Sequence, residues 1–435
     1  MSGVLQAVFQ NVRSFGPPSF IANLYQSTTA KSFGNGNSAT STSFVVGGSA
    51  NSTVNGPETI YVASQDTSGV IQWQKQGSIN YSYLRYLTTS ANGNIYTLSD
   101  VPPSTTSFTE LGFSSFNSSG TLLANKNITA DDTQTATGIG VDSSGNSYIT
   151  CVAQVNGIQQ IGIVKLDSSG NAVWNRGYST DPTANAPQSS FTNSSGTTFI
   201  VGTYSASPSR AFVSVINSSG THVSTKAASD YFGSTDFYGK GVIEDSSGNV
   251  YLVTIRTRSD NSQREIILSK WDSAGTVQWN TTVSGVGGNV NDRICITLDS
   301  SGNIYYGTSG GELIKYNSSG TLQWQRKFAN SYDIQLKSIS VTGNTVFVSG
   351  YARYRPAATD YYYSFEAAVP TDGSKTGTYS LNSQTYTYSV TAYTTRTLTV
   401  GFSSLFPFQN YPGFSVTSPS NTYSTSSLTA VKVTL

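Results

Sequence analysis

Leu166-Asp167-Ser168-Ser169-Gly170-Asn171-Ala172-Val173-Trp174 reads as a tight turn between two strands. The Asp side chain can accept a hydrogen bond from the backbone two residues on. The serines tolerate the dihedrals of a type I turn, and Gly170 takes the left-handed position that closes a short hairpin with a bulge. Asn171 to Trp174 then alternate small or polar with large apolar residues, the period of a half-buried strand.

Eleven other places carry the same idea, in two alternating versions. One is followed by a Tyr or Phe strand, as in Asp142-Ser-Ser-Gly145-Asn-Ser-Tyr148 and Asp299-Ser-Ser-Gly302-Asn-Ile-Tyr305. Its glycines, 93, 145, 196, 248, 302 and 343, are 52, 51, 52, 54 and 41 residues apart. The other carries Trp four residues after Gly at Trp73, Trp174, Trp279 and Trp324, with Ala124 and Ser224 in its degenerate copies. Its glycines, 69, 120, 170, 220, 275 and 320, are 51, 50, 50, 55 and 45 apart. A period near fifty with four strands per unit predicts an all-β fold, a seven-bladed β-propeller with four-stranded antiparallel blades.

The repeats predict three segments: an N-terminal arm over 1–32, the propeller over 33–383, and a C-terminal β segment over 384–435. Gly16-Pro17-Pro18 breaks any regular element in the arm, which is expected to dock on a partner or strap its own ring. Unit one shows no first strand upstream. One of Tyr386–393 or 397–402 is expected to supply it and close the ring without an open edge. Unit seven, 334–381, replaces the serine turn with Thr371-Asp372-Gly373.

At 435 residues the chain is long for one simple core, a limit that blades packing only on their neighbours avoid. With 24 basic and 23 acidic residues and 11% charged, it shows no field for nucleic acid or a charged membrane. Cys151 and Cys295 lie three units apart and read as free thiols, with a disulfide as the alternative. The first residues lack a basic segment followed by a long apolar run, so no signal peptide or transmembrane helix is expected. A role outside a cell would then involve release by lysis, as in a virus particle.

Candidate chemistry is sparse. The repeated Trp serves blade-to-blade packing, with a stacking platform for sugars or bases as the alternative. Each Asp-Ser-Ser-Gly-Asn turn offers one carboxylate, against the several oxygen ligands calcium takes. Its register also departs from the Asp-box of sialidases, with Asp167 three before Gly170 and Trp174 four after. No carboxylate pair for a glycosidase stands out among Glu110, Asp132, Glu265 and Glu366. His222 is the single histidine, which excludes a multi-His metal centre. Sequons such as Asn117-Ser-Ser are turn residues. No catalytic residue, cofactor site or metal ligand is assigned, and the chain is expected not to be an enzyme.

The remaining signal is two b–c loops. Unit five carries Arg256, Arg258 and Arg264; unit seven carries Tyr351, Arg353, Tyr354, Arg355, Tyr361, Tyr362 and Tyr363. Clustered Arg and Tyr in a charge-poor chain match the chemistry of contact hot spots. Solvated loops and edge aromatics are the alternative. Turns of constant length form one face and variable connections the other, where binding usually sits.

Val141-Asp-Ser-Ser-Gly-Asn-Ser-Tyr-Ile149 and Lys165-Leu-Asp-Ser-Ser-Gly-Asn-Ala-Val-Trp174 resemble the bacterial β-propeller repeats called SBBP, over roughly residues 40–380. The Gly-to-Trp spacing is also similar to the docking motif of quinoprotein-like propellers, whose cofactor and calcium ligands are not found here. That resemblance implies the fold, while its members are functionally mixed. The polar, low-charge make-up looks like a tailed-phage virion protein built on this repeat. The expected role is structural, in a tail, fibre or capsid-surface position, with other virion proteins as partners through the arm. A host-surface glycan is a second candidate partner, and a secreted or cell-surface glycan-binding module the alternative function.

Overall fold

The computed structural model describes residues 20–25, 32–51, 58–78, 82–101, 110–130, 134–155, 158–179, 185–205, 208–229, 236–257, 264–285, 293–355, 360–381, 384–397, 401–404, 409–411, 414–417, 423–425 and 429–434. Their strands form seven antiparallel sheets. Blade 1 runs Ser32–Ala39, Ser43–Asn51, Glu58–Asp66 and Ile71–Gly77, innermost strand a to outer strand d. Each innermost strand lies against that of the next blade, and the seventh, Asp333–Thr342, lies against the first. The ring is therefore a closed seven-bladed propeller, as the fifty-residue period requires.

The turns follow their chemistry. In the a–b turn of blade 3, Asp142 Oδ1 accepts from the backbone N–H groups of Ser144 (2.9 Å) and Asn146 (3.0 Å). Tyr148 O–H, on the strand that follows, donates to Asp142 Oδ2 at 3.0 Å. Asp245–Tyr251 and Asp299–Tyr305 repeat that bond at 3.1 and 2.9 Å. Burial pushes these three aspartates up, but combined donation by Asn, Ser and Tyr more than offsets it, leaving each below the ordinary carboxylate range.

The Trp series is inter-blade packing. Trp73 of blade 1 donates its indole N–H to the Ser118 carbonyl in the c–d turn of blade 2, at 2.8 Å. Its ring lies flat on Gly120 (φ +80), where a Cβ would come within 2.7 Å of the indole. Trp174 and Trp324 make the same bond to the carbonyls of Ser218 (3.1 Å) and Thr371 (3.0 Å). The indole of Trp279 lies on Gly320.

Ring closure differs from the sequence expectation. Strand a of blade 1 is Ser32–Ala39, upstream of its hairpin and unrecognised because Gly34 and Gly36 break the apolar alternation. The displaced strand belongs to blade 7: Phe20–Tyr25, from within the expected arm, pairs with Tyr361–Pro370 and supplies strand d. Phe20 takes the place of a docking Trp, its ring 3.0 Å from where a Cβ on Gly69 of blade 1 would stand. Unit seven likewise loses its last piece. Gly377–Leu381 pairs with Gln384–Val390 at the outer edge of blade 6.

From there the C-terminal segment circles the ring against blade order. Gln384–Val390 pairs with strand d of blade 6, Thr394–Thr397 with blade 5, Gly401–Ser404 with blade 4 and Gln409–Tyr411 with blade 3. Phe414–Thr417 and Tyr423–Thr425 continue over blades 2 and 1. Thr429–Thr434 finally pairs with Phe20–Tyr25. Every blade thus gains an outer strand, and no strand d is left as a bare edge. The expected single contribution to closure is in fact a belt. No helix long and apolar enough to cross a membrane occurs among the described residues.

Candidate functional site

The b–c and d–a connections share one face of the ring. On it, blade 7 projects and blade 6 is recessed. Strands b and c of blade 7, Thr345–Tyr354 and Tyr361–Pro370, have 10 residues each. Those of blade 6, Ile304–Gly307 and Glu312–Tyr316, have 4 and 5. The extra length, six residues in strand b and five in strand c, at ~3.3 Å each carries the blade 7 hairpin on the order of 15–20 Å farther.

Strand alternation splits that hairpin into two faces. Toward blade 6, as fixed by Phe365 against Phe328 (5.3 Å), stand Tyr354, Tyr361 and Tyr363. Tyr354 lies 6.3 Å from Tyr361 and 6.2 Å from Tyr363. Toward blade 1 stand Tyr351 and Tyr362, edge to face at 5.6 Å, and Arg353. Arg353 Nε and Nη2 donate to the two Asp360 oxygens at 2.9 and 2.8 Å, a fork that holds the loop's ends together. Arg355 Nε approaches the same carboxylate at 3.6 Å. All seven residues singled out in unit seven therefore meet at one tip.

Sequence reading missed Tyr332. It sits in the d–a connection entering blade 7, donates its O–H to the Arg355 carbonyl at 3.0 Å and stands edge-on to Tyr354 at 6.1 Å. It is 47% exposed, so it extends the aromatic face into solvent. The signal was its place one connection before the Tyr-rich hairpin, on the same face.

Unit five divides differently. Arg256 is a correction: it is buried, its Nε 2.7 Å from fully buried Glu265, which also accepts from Ser284 Oγ at 3.0 Å. The register pairs Arg256 with Glu265 directly, so the guanidinium is a structural partner within the blade. Arg264 opens strand c and is exposed. Arg258 lies outside the described residues. The two hairpins stand on either side of recessed blade 6 and do not form one continuous cluster.

The floor between them is fixed by Glu312, fully buried, which accepts from Thr308 Oγ1, from Lys327 Nζ (3.0 Å) and from Tyr393 O–H of the belt (3.0 Å). Burial pushes this carboxyl up, and the three donors more than offset it, keeping it below its usual range. Gln325 Nε2 grips the Tyr393 carbonyl at 3.1 Å.

His222 is half-buried, its Nε2 2.8 Å from Thr225 Oγ1 and its ring 6.4 Å from that of Tyr178. Cys151 and Cys295 are free, as expected. Cys295 faces the ring's centre, where burial pushes its thiol up to about 12. Among the described residues, no three His, Cys, Asp or Glu side chains converge as a metal site.

No family model and no curated protein matches the chain. Among solved structures, it is similar to the crystal structure of BamB from Moraxella catarrhalis, with 9% identity, a TM-score of 0.38, and 72% of this chain and 94% of that one covered. It is also similar to the Pan2 WD40 domain of Neurospora crassa, with 12% identity, a TM-score of 0.45, and 80% and 96% covered.

Proposed function

We propose that the chain is a non-enzymatic contact scaffold: a virion structural protein of a bacteriophage, in a tail, fibre or capsid-surface position. One observation carries the contact role. The blade 7 hairpin raises five tyrosines and two arginines, and Tyr332 adds a sixth tyrosine, above a recessed neighbour, on a ring whose other charged groups are few. Rigid aromatic and guanidinium groups bury much area at low entropic cost, the chemistry of hot spots. The covered blade edges and the Ser, Thr, Asn and Gly surface suit a particle component that persists outside cells.

The test is a mass and composition analysis of the native particle from which the protein comes, with capture of partners by the full chain. A fixed copy ratio to a capsid or tail protein supports the proposal, together with capture lost in Tyr332→Ala/Tyr354→Ala at unchanged thermal midpoint. A free monomer absent from particles sinks it. A glycan-binding module is the second reading, favoured by the exposed Tyr332 ring standing edge-on to Tyr354. Glycan-array binding abolished by the same double variant would select it.

A further inference from the structure

The seven innermost strands enclose a central cavity of about 270 Å³, lined by residues of every blade. Its lining holds Lys240, Arg293 and Lys337, from the consecutive blades 5, 6 and 7, and no Asp or Glu among the described residues. That is unlike the chain as a whole, where 24 basic and 23 acidic residues nearly cancel. Each cation is seated beside a ring. Arg293 lies 4.0 Å over Tyr86, Lys337 Nζ 5.5 Å from Tyr351, and Lys240 Nζ 6.0 Å from Tyr238. Arg293 is further fixed by donation to the Arg85 carbonyl at 2.8 Å. Lys240 and Lys337 are the extra residues of β-bulges, between Gly239 and Gly241 and between Leu336 and Ser338. A bulge re-aims a side chain, and here it does so where strands converge. Lys240 is 3% exposed, an ammonium within a low-dielectric wall. Charges of one sign in such a recess focus a field that attracts counter-ions.

We propose that the central cavity is a binding site for one small multivalent oxyanion of the phosphate type, held between Lys240, Arg293 and Lys337. Hydroxyls of the lining, such as Ser190, which already shares a bond with Thr150 (2.8 Å), complete the polar wall. Three cations suit a ligand of charge −2 or more, and the volume suits inorganic phosphate or pyrophosphate.

The experiment titrates the full chain with inorganic phosphate and pyrophosphate by calorimetry and by phosphorus NMR line broadening, with acetate as a monovalent control. The expected result is one pyrophosphate per ring, weakened by added salt and weakened about tenfold or more in Lys337→Gln and in Lys240→Gln. Lys165→Gln, on an outer part of blade 3, is expected to bind as the wild type does. Where the buried Lys240→Gln does not fold, Lys337→Gln carries the comparison, and line broadening on the wild type needs no variant. Absence of binding at millimolar phosphate and pyrophosphate overturns the proposal. So does acetate binding of equal strength, or pyrophosphate binding unchanged in a folded Lys337→Gln.

Discussion

Glu366 shows how a single carboxyl sets the pH response of the ring. It is fully buried at the seam between blades 7 and 1, where Gln65 Nε2 donates to it at 2.8 Å and Ser364 Oγ lies 3.4 Å away. Burial pushes it up to about 7, against the donation of Gln65 and Ser364. Its folded value thus lies above the unfolded one, so the folded chain binds the proton more tightly. Its contribution is fully present below the unfolded value, falls as pH rises toward about 7, and is absent above. Over that interval the loss is about 3 kcal/mol. The turn aspartates Asp142, Asp245 and Asp299 act in the opposite sense, being held low; their stabilisation is lost as pH falls below the ordinary carboxylate range. Together they predict a thermal midpoint that peaks in mildly acidic solution. Glu366→Gln is expected to raise the midpoint at pH 8 and flatten its decline from pH 5 to 8. A midpoint series over pH 3 to 9 checks this, and an unchanged slope in the variant would refute the assignment.

Among elements, the N-terminal strand Phe20–Tyr25 carries the ring's seam, and Phe20 fills a dry position between Phe44 and the turn at Gly69. Phe20→Ala is expected to cost about 3–5 kcal/mol, measured by urea unfolding. Trp73→Ala, at an interior junction, should cost a similar amount if the two aromatics do equivalent work. The blades were legible because a turn demands particular residues at fixed offsets, twelve times over. The belt was not. Its strands run from 3 to 7 residues, too short for a period, and their pairing partners lie far away in sequence. Strand a of blade 1 was missed for its glycines, and unit seven was given a fourth strand that goes to blade 6. At the candidate site, clustering in sequence was enough to find the blade 7 tip, since a hairpin returns its own ends to each other. It was misleading for Arg256, because spacing alone does not say on which side of a strand a charge lies. The matching distance of Arg256 and Glu265 from their shared loop was the available clue.

The whole molecule joins a repeat architecture to two segments that are not repeats. A propeller whose blades touch only their neighbours can lose cooperativity between units. Here the belt hydrogen-bonds to all seven blades in turn. We expect a single unfolding transition, with calorimetric and van't Hoff enthalpies equal. Deleting residues 394–435 is expected to leave a ring of paired blades that unfolds over several phases, is cut faster by protease, and self-associates through five uncovered strand d edges, on blades 1 to 5, and an uncovered Phe20–Tyr25. A truncated chain with one sharp transition and no association would show that the belt is ornamental. The placement of Phe20–Tyr25 between Tyr361–Pro370 and Thr429–Thr434 also dictates a timetable. On the ribosome this strand emerges ahead of the seven b–c hairpins, yet its earlier partner is some 340 residues behind. At 5–20 residues per second it waits roughly 17 to 70 s, and its second partner, Thr429–Thr434, lies farther along the chain still. Through that interval a sticky β-segment with the ring's keystone aromatic must be kept from other nascent chains. Birth of the native ring therefore waits until all seven blades have been made, and protection of this strand in the interval bears on its yield alongside stability of the finished product.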